Sequence, residues 1–290
     1  MSTEEQIEHL ISTKTEDPFK IEISRPLGGG CINNARFISD GDRSYFVKAN
    51  SPSFLEQFRQ EKLALEEIDD THSIRVPQPI GIGSTDTEAF LILEFIEIGR
   101  PSTGSWELLG RGLAELHKET KDFFGWQSDN TIGSTPQLNE PTENWTDFFR
   151  EQRLEHQFKL CRSKGLSILG YDRLLDNLDT FFENYQPHSS LLHGDLWSGN
   201  AAFDKNGEPF VFDPCSYYGD RETDLAFSEF FGGFDRRFYD SYQECLPLDS
   251  GYAVRKDLYN LYHCLNHHYI FGGGYGQQAQ GIVNRLLAVI

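Results

Sequence analysis

The sequence predicts an α+β protein of two lobes: strand-rich over residues 1–93, joined by residues 94–100 to a mainly helical part over 101–290. Three observations predict this. Short β-branched and aromatic runs, separated by Gly, Asp and Pro, fill the first third of the chain. Beyond Pro101 the apolar residues recur with helical spacing. Within that helical part, Leu191–Asp213 is a stretch of short apolar runs and turns. The 290 residues are 38% hydrophobic and include 23 Phe, 12 Tyr and 4 Trp, enough for a substantial core and incompatible with a disordered chain.

In chain order, Ile21–Ser24, Ala35–Ile38, Tyr45–Ala49 and Ala89–Leu93 have strand composition. Between the third and fourth, Ser53–Ile68 is a helix, because Phe54, Phe58, Leu65 and Ile68 share one face. Glu94–Gly99 forms the join. Helices follow at Trp106–Lys118, Trp145–Lys164, Tyr171–Tyr185 and Leu258–Phe271. The acidic runs Glu4–Glu8 and Glu66–Asp70 read as solvated faces, and Trp106, Trp126 and Trp145 as packing residues.

Charge narrows the function classes. Lys and Arg total 26 against 45 Asp and Glu, a net charge of −19. Such a surface does not suit a phosphate backbone, so no nucleic-acid partner is expected, although a small phosphate pocket remains compatible. The five cysteines, Cys31, Cys161, Cys215, Cys245 and Cys264, are odd in number and widely spaced. They suggest neither a disulfide framework nor a zinc ribbon, and they fit a reducing compartment. The start Met1-Ser2-Thr3-Glu4-Glu5 lacks a signal peptide's basic and apolar regions. No apolar run approaches the ~20 residues of a membrane span. A cytoplasmic protein without a membrane partner is expected.

The densest motif is His193-Gly194-Asp195-Leu196-Trp197-Ser198-Gly199-Asn200, followed by Phe210-Val211-Phe212-Asp213-Pro214. An Asp five places before an Asn, then an apolar strand ending in a second Asp, matches the catalytic loop and metal strand of kinases. Phosphoryl transfer needs a carboxylate to take the proton of the attacking hydroxyl, and oxygen ligands for Mg²⁺. Asp195 suits the first task; Asn200 and Asp213 suit the second. Either Asp alone would read as an ordinary capping residue; the whole string does not.

A second signal is independent of the first. Glu61 interrupts the apolar stripe of the helix 53–68, where an unpaired carboxylate would be costly. Lys48 lies on the preceding strand, on the same face as Phe46. A strand Lys paired to a helix Glu is the device by which kinases hold the α- and β-phosphates. Upstream, Gly28-Gly29-Gly30-Cys31 can bring backbone N–H groups to phosphate oxygens, although Asn33 stands where a third motif Gly would fall and the run alone equally describes a hairpin. His263 and His267, four apart on a helix, lack a third ligand at metal spacing and read as packing or substrate-contact residues.

The loop His193–Asn200 with Trp197 resembles that of the fructosamine kinase (ketosamine-3-kinase) family. So do Asp213-Pro214-Cys215-Ser216-Tyr217-Tyr218-Gly219-Asp220-Arg221-Glu222 with Asp224, Gly28–Asn34, Phe124-Gly125-Trp126, Pro136–Asn139, Phe231–Phe234 and Leu261–Phe271. The similarity runs from about Leu27 to the C-terminus. It implies a bilobal protein-kinase-like fold and ATP as donor, with Gly28, Gly29, Gly30, Lys48, Glu61, Glu94 and Ile96 expected at the nucleotide. It implies phosphorylation of the 3-hydroxyl of a ketosamine on a glycated amine or glycated lysine, and hence protein deglycation. Trp197 is then expected as a stacking platform for the sugar, with Tyr218 and Asp220 as further substrate contacts. Cys31, in the Gly-rich loop, is expected to be either an inert loop residue or a redox-active one, so that the chain is a monomer or a redox-dependent dimer. Gly194 replaces the Arg that reads an activation-loop phosphate in protein kinases, which points away from that mode of control. The loop pattern leaves open a kinase of another small hydroxylated substrate, such as a ribulosamine, methylthioribose, choline or an aminoglycoside. A pseudokinase is disfavoured because Lys48, Glu61, Asp195, Asn200 and Asp213 are all present.

Overall fold

A computed structural model describes residues 1–28 and 33–290, which form two compact units. One comprises Met1–Ser102 with Ala202–Asp213; the other comprises Thr103–Ala201 with Pro214–Ile290.

The first unit opens with helix α1 (Thr3–Thr15), started by a reciprocal cap in which the Glu5 N–H donates to Ser2 Oγ at 3.2 Å and the Ser2 N–H to Glu5 Oε2 at 2.7 Å. The sequence reading takes this segment as a solvated acidic run. Glu4 and Glu5 are exposed, and what the sequence reading does not foresee is the helix's other face, where Ile7 and Ile11 lie one turn apart and are wholly buried. They pack on an antiparallel sheet of β1 (Ile23–Leu27), β2 (Asn34–Ser39), β3 (Ser44–Asn50), β4 (Pro79–Ser84) and β5 (Ala89–Glu94), ordered β1-β2-β3-β5-β4. Along β3, Tyr45, Val47 and Ala49 join the α1 core, so the period of two turns Phe46 and Lys48 to the opposite face. Helix α2 (Leu55–Asp70) buries Phe58, Leu65 and Ile68 of the expected stripe, whereas Phe54 ends the 3-10 turn Pro52–Phe54 ahead of the helix and is half-buried.

The edge strand β4 is not foreseen, because Pro79, Gly81 and Gly83 give it a turn-like composition. Residues 202–213, read from the sequence as part of the helical region, belong to this unit. The Gly99 N–H donates to Phe203 O at 2.8 Å, the Val211 N–H to Arg75 O at 3.0 Å, and Arg75 Nη1 to Asp204 Oδ2 at 2.9 Å. Such long-range pairings leave no local pattern in the sequence.

The second unit is built on helices α3 (Ser105–Leu116), α4 (Trp145–Phe148), α5 (His156–Ser163), α6 (Tyr171–Asp176), α7 (Glu222–Phe230), α8 (Arg236–Cys245), α9 (Tyr252–Phe271) and α10 (Tyr275–Leu287). α9 packs against α5, α7 and α10, and α3 packs against α8. The expected continuous helix 145–164 is interrupted by a π-helical stretch, Phe149–Glu155. The wider turn lets Gln152 and Arg153 both face inward, where Gln152 donates to Glu140 O at 2.7 Å and Arg153 to Asn139 Oδ1 at 2.8 Å. The expected helix 171–185 breaks at Asn177, whose side chain donates to Arg173 O at 2.8 Å. Trp126 and Trp145 are core residues, as expected; Trp145 stacks on Phe148 and Phe149.

Candidate functional site

In the first unit, β3 and α2 bring Lys48 and Glu61 together. Lys48 Nζ lies 2.6 Å from Glu61 Oε1 and also donates to Asp213 Oδ1. Lys48 is 6% exposed, whereas the Asp213 side chain is 44% exposed. Burial pulls the Lys48 pKa down, but the two carboxylates outweigh it and hold the ammonium protonated. Asp213 has φ 58°, a left-handed conformation unusual for a residue with a side chain. Glu94 ends β5 and accepts from Arg75 Nη2 at 2.8 Å and the Gln78 N–H at 3.3 Å, and Ile96 is half-buried. Gly28 is exposed, and a Cβ there would meet no atom within 4 Å. Gly29, Gly30 and Cys31 lie outside the described residues.

In the second unit, the turn His193-Gly194-Asp195 is held by its backbone. The His193 N–H donates to Asp224 Oδ2 at 2.7 Å and the Gly194 N–H to Asp224 Oδ1 at 2.9 Å. The Cys215 N–H closes back on His193 O at 2.8 Å. Gly194 has φ 83°, and a Cβ there would stand 2.2 Å from Cys215 O. The position therefore excludes any larger residue, which gives a physical reason for the missing Arg. Asn200 Nδ2 donates to Asp195 O at 2.9 Å and Asp195 Oδ2 at 2.8 Å. Asp195 is thus half-buried, with one carboxylate oxygen oriented by Asn200.

Trp197 is half-buried and folds over Gly199, where a Cβ would meet its ring at 2.3 Å. Its indole lies 5.2 Å from the Phe231 ring, itself 39% exposed, and Phe231 lies 5.2 Å from His267. The sequence leaves His267 undecided and gives Phe231 no role; only the packing of α7 on α9 joins them to Trp197. The other two expected substrate contacts are corrected. Tyr218 is 5% exposed and pairs through its backbone with Leu191 and Gly125. Asp220 is fully buried, accepting from Tyr185 Oη at 2.9 Å, from Tyr259 Oη and from the Glu222 N–H at 3.0 Å. Both side chains are buried, against the exposure expected of a substrate contact; a polar residue near a motif need not be exposed, and the sequence does not reveal burial.

Among the described residues no group of three His, Cys, Asp or Glu side chains gathers as a metal site. Asn200 and Asp213 each offer a carbonyl or carboxylate oxygen, the donor type Mg²⁺ prefers when phosphates and water complete its shell. Cys161, Cys215, Cys245 and Cys264 are free thiols, and burial pushes those of Cys161 and Cys264 up to about 12.

The family model described as Fructosamine kinase matches residues 3–289. A protein named probable ketoamine kinase from Synechocystis sp. is 45% identical over 98% of this chain and 96% of its own length. A chloroplastic protein-ribulosamine 3-kinase of Arabidopsis thaliana is 43% identical over 91% of this chain and 82% of its own. The crystal structure of a putative fructosamine-3-kinase from Haemophilus somnus superposes with a TM-score of 0.91 at 32% identity, covering 97% and 96% of the two chains. A choline kinase from Streptococcus pneumoniae shares the protein-kinase-like fold at a TM-score of 0.65 and 17% identity, over 99% of both chains.

Proposed function

The chain belongs to the fructosamine kinase family, and from that premise we propose that it transfers the γ-phosphoryl group of ATP to the 3-hydroxyl of ketosamines, the sugar adducts of glycated amines and lysines. The observation that carries the phosphoryl-transfer reading is Lys48, a buried ammonium shared by Glu61 and Asp213. An ammonium so fixed serves as a phosphate anchor, with Glu61 keeping its position. Glu94 ends, and Ile96 follows, the strand that pairs with Lys48's own, and both are assigned to the nucleotide.

Asp195 is assigned as the base. Its carboxylate takes the proton of the 3-hydroxyl as the O3–Pγ bond forms and the bond from Pγ to the ADP oxygen breaks. Asn200 orients that carboxylate through its amide, and the Asn200 amide oxygen and the Asp213 carboxylate are each of the donor type that would hold Mg²⁺. The metal, when bound, neutralises charge on the phosphates. Trp197, backed by Phe231 and His267, offers an aromatic face to the sugar. In the 1,2-enaminol tautomer of the product, the C3 phosphate would be expelled as inorganic phosphate more readily than hydroxide, and water would then hydrolyse the resulting imine and free the amine, which is deglycation. The likeness to choline kinase is one of fold and brings no acceptor with it. The free thiols accord with a reducing, cytoplasmic setting.

The test is acceptor-dependent ADP release with a panel of fructosamine and ribulosamine adducts, choline and an aminoglycoside. Turnover with the ketosamines alone is expected; turnover with choline or the aminoglycoside in their place would overturn the reading.

A further inference from the structure

The Asp224 carboxylate that grips the catalytic turn is itself gripped from behind. Oδ2, which accepts the His193 N–H, lies 3.2 Å from His117 Nε2 at the end of α3. His117 Nδ1 lies 2.8 Å from Tyr242 Oη on α8. Tyr242 Oη accepts from Arg221 Nη1 at 3.0 Å. The same guanidinium donates to Leu246 O at 3.0 Å and Pro247 O at 2.5 Å. His117, Tyr242 and Asp224 are 2%, 1% and 2% exposed.

The donor directions in this chain are fixed by chemistry. Burial opposes ionisation of Asp224, but His117 and the backbone donors outweigh it and hold the carboxyl below its ordinary pKa, so it only accepts. His117 Nε2 must therefore carry a hydrogen. Burial pushes the His117 pKa down despite its bond to Asp224, so the ring is neutral and Nδ1 is an acceptor. Tyr242 then donates to Nδ1, which leaves its oxygen to accept from Arg221. Every bond runs one way, from Arg221 through Tyr242 and His117 to Asp224, and no buried side-chain nitrogen or oxygen of these four residues is left without a partner.

We propose that His117 and Tyr242 are positioning residues for phosphoryl transfer: they lock the Asp224 carboxylate in the orientation that clamps the His193 and Gly194 amides and so fixes Asp195. The proposal rests on the kinase reading above. Neither residue touches a substrate. A sub-ångström rotation of Asp224 would be passed to a turn whose next residue is the base, and a misplacement of about 1 Å can cost ~10²-fold in rate. A purely structural role would lower stability without lowering the turnover of the molecules that remain folded.

The experiment compares His117→Phe, His117→Gln and Tyr242→Phe with the wild type, by steady-state kinetics on a ketosamine and by hydrogen exchange of the His193 and Gly194 amides. His117→Phe is expected to lower kcat by about ten- to a hundredfold with the KM for ATP little changed. His117→Gln, whose amide can still donate to Asp224, is expected to recover most of that loss. Tyr242→Phe keeps the ring's bulk and is expected to lower kcat by a smaller factor; in the His117→Phe background it should add nothing. Both amides should exchange faster in His117→Phe and Tyr242→Phe. If His117→Phe does not fold, Tyr242→Phe and His117→Gln carry the comparison. Wild-type kcat and wild-type amide exchange in Tyr242→Phe, whatever its melting temperature, would overturn the proposal. A wild type that phosphorylates no ketosamine would overturn the kinase reading instead, and the exchange data would still report whether the clamp depends on His117.

Discussion

At the scale of single residues, the candidate site is made of side chains whose partners are specific. Lys48 is buried between two carboxylates and Asp195 is oriented by one amide, and both are legible in the sequence because spacing fixes them. A Glu in an apolar helical stripe demands a cation, and the neighbouring strand carries one. Trp197 is legible only through family resemblance, yet the structure gives it an aromatic backing in Phe231 and His267. Trp197→Ala is expected to raise the acceptor KM by about two- to tenfold, the equivalent of the ~0.5–1.5 kcal/mol of an aromatic contact, with the KM for ATP unchanged. Separate titrations of acceptor and ATP check this. Equal changes in both constants would mean that Trp197 supports the loop over Gly199 and not the sugar. Tyr218 and Asp220 show the opposite limit: chain neighbours of a motif, they are drawn into the interior by Gly125, Tyr185 and Tyr259, contacts that no local pattern announces.

At the scale of elements, α2 and β3 are readable because their periodicity is undisturbed, whereas β4 and α1 are not. In β4 the glycines hide a strand; in α1 the acidic residues distract from Ile7 and Ile11, although the pair Ser2 and Glu5 already spells a helix start. The interruption of the helix 145–164 follows from inward demands on Gln152 and Arg153, which appear only once their acceptors at 138–140 are placed. The turn His193-Gly194-Asp195 is tightly held by its backbone hydrogen bonds. Gly194→Ala forces a side chain into a left-handed conformation and against Cys215 O. It is expected to cost at least about 1–2 kcal/mol from the backbone alone and to lower kcat, as read by chemical denaturation and kinetics. Unchanged stability and turnover would show that the clasp between His193 and Cys215 is not needed.

At the scale of the whole molecule, the second unit carries a buried ionic cluster beneath α7 and α9. Arg255 donates to both oxygens of Glu222, at 2.7 and 2.9 Å, and to Asp249 at 2.7 Å. Burial lifts the Glu222 carboxyl from 4.5 to about 7, against the hydrogen bonds of Arg255 and with the repulsion of Asp220. A folded-state pKa above the unfolded one means that the fold takes up a proton. The associated stability is full below about 4.5 and is lost as the pH rises through about 7. Asp224, held below its ordinary value, works in the other direction, and its contribution is lost on acidification. The Glu222 contribution is therefore expected to fall between pH ~4.5 and ~7, read as a pH-dependent difference between the melting temperatures of the wild type and Glu222→Gln. Parallel curves for the two proteins would remove Glu222 from the pH dependence.

The claim on which these scales converge is phosphoryl transfer to O3 of a ketosamine with Asp195 as base. Its most direct measurement is NMR of the product formed from a fructosamine or ribulosamine adduct with ATP and Mg²⁺, locating the phosphate by its coupling to the sugar protons. The wild type should yield ADP and a phosphate ester on O3, and Asp195→Asn should yield it about 10²–10⁴-fold more slowly while still binding ATP. An ester at another hydroxyl, ADP without a phosphorylated acceptor, or Asp195→Asn at the wild-type rate would contradict the account.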